Sequence, residues 1–280
     1  MSEVEQEPGG RADADGGHGS AAGHGGFDPN VPSTARIYDY LIGGKDNFAA
    51  DRAAAEHLLT AQPTARTIAQ ANRRFLLRAV GLLAQSGIRQ YIDVGAGIPT
   101  SPNVHEIVRE HQPDARIVYV DNDPVVLAHT RALRAETGVT ALDADLRRPQ
   151  EIMDRVEAAG TIDFSQPVGL LLISVMHFVR REEDPGAMIR AYTERLAPGS
   201  HLALSIASAG RLSQDEIEKA EAIYANASSP LVLHSPAAVA GWLEPYTLLE
   251  PGLVSYYKWR ADENEPDDTG APIAAVARIG

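Results

Sequence analysis

The chain has 280 residues, and its 38 acidic against 25 basic side chains give a formal net charge of -13. That balance opposes binding along a phosphate backbone and sets nucleic acid aside as the main partner. There is no cysteine, which excludes disulfides, a thiolate nucleophile and cysteine-ligated metal centres.

Residues 1–28 are acidic and rich in paired glycines, and they read as a disordered tail. Its first 26 residues lack the apolar core of a secretory signal, and no stretch of the chain approaches the roughly 18 continuous apolar residues of a membrane span. A cytoplasmic protein with no membrane partner is therefore expected. His18 and His24 lie in the tail without a third ligand, so no metal site is assigned.

From Pro32 the character changes. Ser33 or Thr34 can cap a helix carrying Ile37, Tyr40 and Leu41 that ends at Gly43-Gly44. A second helix is expected over 46–59. A third, over 64–85, sets Ile68, Phe75, Leu76, Ala79 and Leu83 at helical spacing. Residues 29–86 thus read as an N-terminal helical cap and 87–280 as an α/β domain.

Strands are expected near 89–94, 116–121, 138–142, 168–174, 200–206, 245–250 and 272–278. Helices are expected over 102–111, 123–136, 149–158, 185–196, 211–226 and 235–243, which makes a doubly wound α/β sheet. The acidic stretch 262–268 reads as a solvated loop, and the pairs Arg73-Arg74 and Arg147-Arg148 as solvated faces.

The run YIDVGAGIPT over 91–100 carries the chemistry. An apolar strand ends near Asp93, and Gly95 and Gly97 let the next turn bring backbone N–H groups close to a ligand. Asp121 ends the second strand, where a carboxylate can accept hydrogen bonds from a ribose diol. Thr100 stands where a dinucleotide fingerprint needs its third glycine, and the G-K-[ST] ending of a P-loop is missing.

Sheet logic gathers four segments at one rim: 93–100, 121–123 with Asn122, 143–146, and 174–178 beginning at Ser174. Asp123 can contact ligand or cap the next helix. Asp145 can accept from an adenine amino group while Leu146 packs on the base, or can cap its turn. His177 is the candidate general base, with a structural histidine as the other reading. Tyr40, Lys45, Asp46 and Asn47 can close over a ligand, with Gly43-Gly44 allowing the backbone to turn; a packed helix pair is the alternative.

These motifs resemble those of a class I S-adenosylmethionine-dependent methyltransferase. More closely, the chain resembles a poorly characterised actinobacterial group marked by P-S-x-A-R-I-Y-D-Y-x-x-G-G-K-D-N-F, I-D-x-G-x-G-x-P-T and a hydrophobic run ending in M-H. Here those motifs stand at 32–48, 92–100 and 173–177, within a resemblance covering about 30–280.

The resemblance implies a seven-stranded Rossmann-like sheet in the order 3-2-1-4-5-7-6, the last strand antiparallel. Asp93, Gly95 and Gly97 would surround the methionine part of S-adenosyl-L-methionine, Asp121 would bind the ribose, and Asp145 with Leu146 would flank the adenine. Asn122, Ser174, Lys45 and Asn47 would join the cofactor contacts, while His177 or Tyr40 would meet the acceptor. Nucleic-acid amino methyltransferases commonly carry Asn/Asp-Pro-Pro-aromatic after the fourth strand. This chain has Ser174-Val-Met-His177 there, which favours a small-molecule acceptor. Two rival readings are an NAD(P)-dependent oxidoreductase and a non-catalytic cofactor-binding regulatory or interaction protein. The acceptor and the oligomeric state, including a homo-oligomer, stay open.

Overall fold

The computed structural model describes residues 27–132, 138–210, 212–225, 227–262 and 272–280. The expectations for His18, His24, the acidic stretch beyond Asp262 and the end of the 123–136 helix lie outside them.

Three helices come first: α1 (Thr34–Ile42), α2 (Ala49–Ala61) and α3 (Ala65–Gln85). Strand and helix then alternate as β1 (Gln90–Val94), α4 (Val104–Arg109), β2 (Arg116–Asp121), α5 (Pro124–Ala132), β3 (Val139–Asp143), α6 (Pro149–Ala159), β4 (Gly169–Ile173), α7 (Pro185–Thr193) and β5 (His201–Ala207). The chain closes with α8 (Gln214–Ile223), α9 (Pro236–Leu243), β6 (Thr247–Leu248), β7 (Val254–Ser255) and β8 (Pro272–Arg278).

The sheet runs β3-β2-β1-β4-β5-β8-β6. Strands β1 to β5 pair in parallel, and β8 is antiparallel to both β5 and β6. This is the expected order with one addition: the strand expected over 245–250 is shortened to β6, and β7, which was not expected, pairs with β8 as well. Pro251 between them has no N–H to give the ladder, and the Gly252 N–H turns back to the Leu249 carbonyl.

Period-two alternation divides the core. Tyr91, Leu171, Ile173, Ala203 and Val276 face one side, where Phe75, Leu76, Ala79, Val80 and Leu83 of α3 pack with Trp259. Ile92, Leu170, Leu172, Leu204 and Ala275 face the other, against Ile152, Met153 and Val156 of α6, Ile189 and Tyr192 of α7, and Val239 of α9. With both faces covered, β1 and β4 are buried at every position.

The N-terminal helices keep a smaller core of their own, built from Ile37, Leu41, Ala55, Leu58, Ala65 and Ala69, with Tyr38 and Tyr224 packed against it. The second helix starts at Ala49 rather than 46, because the Asp51 carboxylate takes the Phe48 N–H at its first turn. No described helix is long and apolar enough to cross a membrane.

Candidate active site

The turn after β1 is fastened to β2. The N–H groups of Gly95 and Ala96 both donate to the Val120 carbonyl, at 2.7 and 3.2 Å. Gly95 lies at φ 72°, and a Cβ there would stand 2.2 Å from Val175 Cγ1, so the turn lies flush against the segment after β4. Asp121 completes the join: one carboxylate oxygen accepts from Gly97 N–H and the other from Asp123 N–H, each at 2.9 Å. A Gly95→Ala substitution should therefore lower the melting temperature by several degrees, as followed by thermal unfolding.

The carboxylates at this rim are held out of water. Burial pushes Asp93 up to about 7, against the attraction of Arg73 and with added repulsion from Asp121. Burial likewise raises Asp121 to about 6, opposed by its backbone hydrogen bonds from Asp123 and Gly97. Arg73 is half-buried rather than solvated. Its Nη2 donates to the carbonyls of Thr100 and Pro102, and burial lowers its pKa.

Helix α1 forms the adjoining wall. Arg36 is buried with its Nε 2.8 Å from Asp51 and its Nη1 3.0 Å from Asp123. Its guanidinium carbon lies 5.4 Å from the Phe27 ring centroid and 5.3 Å from that of Phe48. Ser33 Oγ also donates to Asp123, which in turn caps α5 through Val125 N–H. Asp123 is thus committed to capping and to Arg36.

A polar chain crosses from α1 to β4. Tyr38 donates its hydroxyl proton to the Ala69 carbonyl and accepts from Asn72 Nδ2. Asn72 Oδ1 accepts from Ser205 Oγ, which accepts from the N–H of Ser174. Ser174 is held at φ 58°, a left-handed conformation rare outside glycine.

His177 departs from the expected base. It is buried, and burial depresses its pKa to about 3, with the nearby His234 adding to the effect. Ala207 N–H points at its Nδ1 from 3.2 Å, which makes Nδ1 the acceptor and leaves the proton on Nε2. Such a ring offers a donor to a ligand. Asp145 holds Arg147 in a forked pair, with Nη2 at 2.6 Å. Burial opposes its ionisation, yet the Arg147 bonds outweigh it and lower its pKa.

A cavity of about 410 Å³ connects these groups, within the roughly 300–1,000 Å³ range of small-molecule sites. Among the expected residues, Asp93, Gly95, Gly97, Asp121, Asn122, Asp145, Leu146, Ser174 and His177 line it. Tyr40, Lys45 and Asn47 do not. The Tyr40 hydroxyl turns to Glu56 and its ring lies against Arg66. Lys45 is exposed, and Asn47 donates to Asp39 and to the Gly44 carbonyl.

The Gly44 position explains this loop. A Cβ there would fall 1.9 Å from Asp39 Oδ1, so the chain can fold tightly around that carboxylate. Tyr38, Asn72, Arg73 and Asp39 line the cavity without having been foreseen in it. The sequence offered Tyr40, Lys45, Asp46 and Asn47 for this wall, but could not give the rotation of the helix.

A family model described as S-adenosyl methyltransferase matches residues 21–280. Among solved structures, the chain is similar to a DUF574 family protein from Streptomyces avermitilis, at 39% identity and a TM-score of 0.85, covering 90% of this chain and 99% of that one. It is also similar to a candidate methyltransferase from Thermobifida fusca, at 35% identity and a TM-score of 0.82, covering 92% of this chain and 99% of that one. Comparison with curated proteins found no match.

Proposed function

The chain belongs to the S-adenosyl methyltransferase family, and from that premise we propose that its cavity seats S-adenosylmethionine along the rim of β1 and β2 and passes the methyl group to a small-molecule acceptor. One observation carries the reading. Two buried carboxylates, Asp93 and Asp121, end neighbouring strands around a turn that has no room for a side chain at Gly95.

That donor set fits the cofactor. No hydrogen bond from a described residue offsets the burial of Asp93, so its carboxylate suits the ammonium of the methionine part. Asp121, oriented by the Gly97 and Asp123 N–H groups, accepts from the ribose hydroxyls. Asn122 and Ser174 add polar contacts at the same rim. Leu146 and the outer edge of Asp145 meet the adenine, with Arg147 fixing the carboxylate. When bound, the cofactor supplies a methyl group made electrophilic by its sulfonium.

The protein's part is alignment and exclusion of water. His177 presents its Nε2–H to ligand, and the segment 29–86 acts as a cap. Within that cap, Asn47 acts through Asp39, while Tyr40 and Lys45 shape the outer face. A small acceptor is favoured by the net charge of -13 and by the absence of the Pro-Pro motif after β4.

Calorimetric titration with S-adenosylmethionine and S-adenosylhomocysteine tests the cofactor site, with micromolar binding of both expected. Absence of binding to either overturns it. Release of S-adenosylhomocysteine with metabolite, RNA and protein pools tests the acceptor class. Transfer confined to the macromolecular pools overturns the small-molecule assignment.

A further inference from the structure

Resting on that cofactor assignment, we propose that Arg73 of α3 binds the carboxylate of the methionine part, so that Arg73 and Asp93 together hold the two charges of its amino-acid end. Three features of the β1 rim lead there.

The first is placement. Arg73 and Asp93 line the same cavity, together with Gly95, Gly97 and Thr100 of the glycine turn. Arg73 comes from α3 and Asp93 from β1, so opposite charges from two layers of the fold face this end of the cavity. They attract each other through space, with no hydrogen bond between them. A ligand suited to such a gap carries both signs. In an α-amino acid the ammonium and the carboxylate leave the same carbon, so one can meet Asp93 while the other meets Arg73.

The second is orientation. Arg73 Nη2 donates to the carbonyls of Thr100 and Pro102, at the far end of the turn after β1. Those two bonds fix the guanidinium plane against the turn that receives the cofactor, and they occupy one of its three nitrogens. Among the described residues, Nε and Nη1 have no hydrogen-bond partner. The group is thus positioned by the protein and still has N–H donors for a carboxylate.

The third is the state of both charges before ligand arrives. Burial lowers the pKa of Arg73 and pushes Asp93 up to about 7, so each charged form is disfavoured where it stands. A zwitterion relieves both at once. An ammonium without its carboxylate would pair with Asp93 and set a second cation beside Arg73. A ligand without the amino-acid end would relieve neither group.

The site should therefore distinguish the intact amino-acid end from one that has lost its carboxylate. Arg73 also joins α3 to the bound cofactor, so the same contact ties the N-terminal cap to the glycine turn.

The test uses the full chain and ligands that need no methyl acceptor. Calorimetry compares S-adenosylhomocysteine with its decarboxylated analogue, which keeps the ammonium, and with methylthioadenosine, which keeps neither charge. The parent should bind S-adenosylhomocysteine about 30-fold more tightly than the decarboxylated analogue. Arg73→Met should erase that preference, with S-adenosylhomocysteine bound about 30-fold more weakly and methylthioadenosine changed by less than about twofold. Arg73→Lys, which keeps the charge and loses the planar donor set, should retain part of the preference.

Equal weakening of all three ligands in Arg73→Met would mean that the arginine only braces the turn, and overturns the inference. An unchanged preference in that variant overturns it too. Should Arg73→Met fail to fold, the parent and Arg73→Lys decide: a parent that binds the two homocysteine ligands equally, or an undiminished preference in Arg73→Lys, overturns the inference. Failure of the parent to bind S-adenosylmethionine and S-adenosylhomocysteine overturns the cofactor assignment, and the inference falls with it.

Discussion

Replacing Arg36 with alanine should cost about 3–5 kcal/mol of unfolding free energy, since breaking a buried ion pair strands its partners in low dielectric. Two carboxylates are stranded here. Asp51 is 0% and Asp123 7% exposed, and the guanidinium that joins them is 3% exposed. Asp51 also accepts from the Ser33 and Phe48 N–H groups, and Asp123 caps α5. Their orientations therefore persist without arginine, and their charges lose the group that offsets them.

Denaturant unfolding measures the loss. Combining Arg36→Met with Asp51→Asn and Asp123→Asn should recover most of it, because the amide oxygens can still accept one backbone hydrogen bond each while the uncompensated charges disappear. A loss under about 1 kcal/mol for Arg36→Ala would mean the triad is hydrated in solution. Cofactor affinity should fall as well. Asp123 stands between the α1 wall and Asp121, and its N–H is one of the two that orient the Asp121 carboxylate.

Local patterns could be read from the chain and long-range pairings could not. The buried parallel strands announce themselves as apolar runs, such as the GLLLI of β4. The rim of Asp93, Gly95, Gly97 and Asp121 is similarly legible, because a strand, a glycine turn and an acid at the end of the next strand lie within thirty or so residues.

Arg36 belongs to the other class. Its partners lie 15 and 87 residues away, and nothing near it in sequence names them. Arg73 looked like part of an exposed basic pair because carbonyls at 100 and 102 leave no mark on composition. Tyr38 and Tyr40 are equivalent by type. Ile37 and Leu41 fix the helix rotation by packing inward, which leaves Tyr38 toward the cavity and turns Tyr40 toward Glu56. The extra strand β7, two residues long beyond Pro251-Gly252, is too short to leave a period in the sequence. The state of His177 was not, since burial and the N–H of Ala207 both arise from the assembled sheet.

An Asp93→Asn variant should bind S-adenosylmethionine about a hundredfold more weakly than the parent, because one charge-assisted contact in a dry site is lost. The same change should make the unliganded protein more stable at neutral pH, and the sign follows from the proton balance. The folded pKa of about 7 lies above the ordinary value of 3.8. Between those values the folded state holds more protons than the unfolded chain, so stability falls as pH rises. The contribution is complete below about 4 and is gone once pH passes about 7.

An amide carries no such titration, and Asp93→Asn should flatten that part of the thermal stability profile. Asp121, raised to about 6, leaves a smaller slope in the same window. Cofactor binding runs the other way. A cationic ligand prefers ionised Asp93, so the parent's affinity should climb from pH 5 toward pH 8, with protons released to the buffer around pH 6. Calorimetry in buffers of different ionisation enthalpy counts those protons, and the count should drop in the variant. Equal proton release and equal affinity in both proteins would place the ammonium away from Asp93.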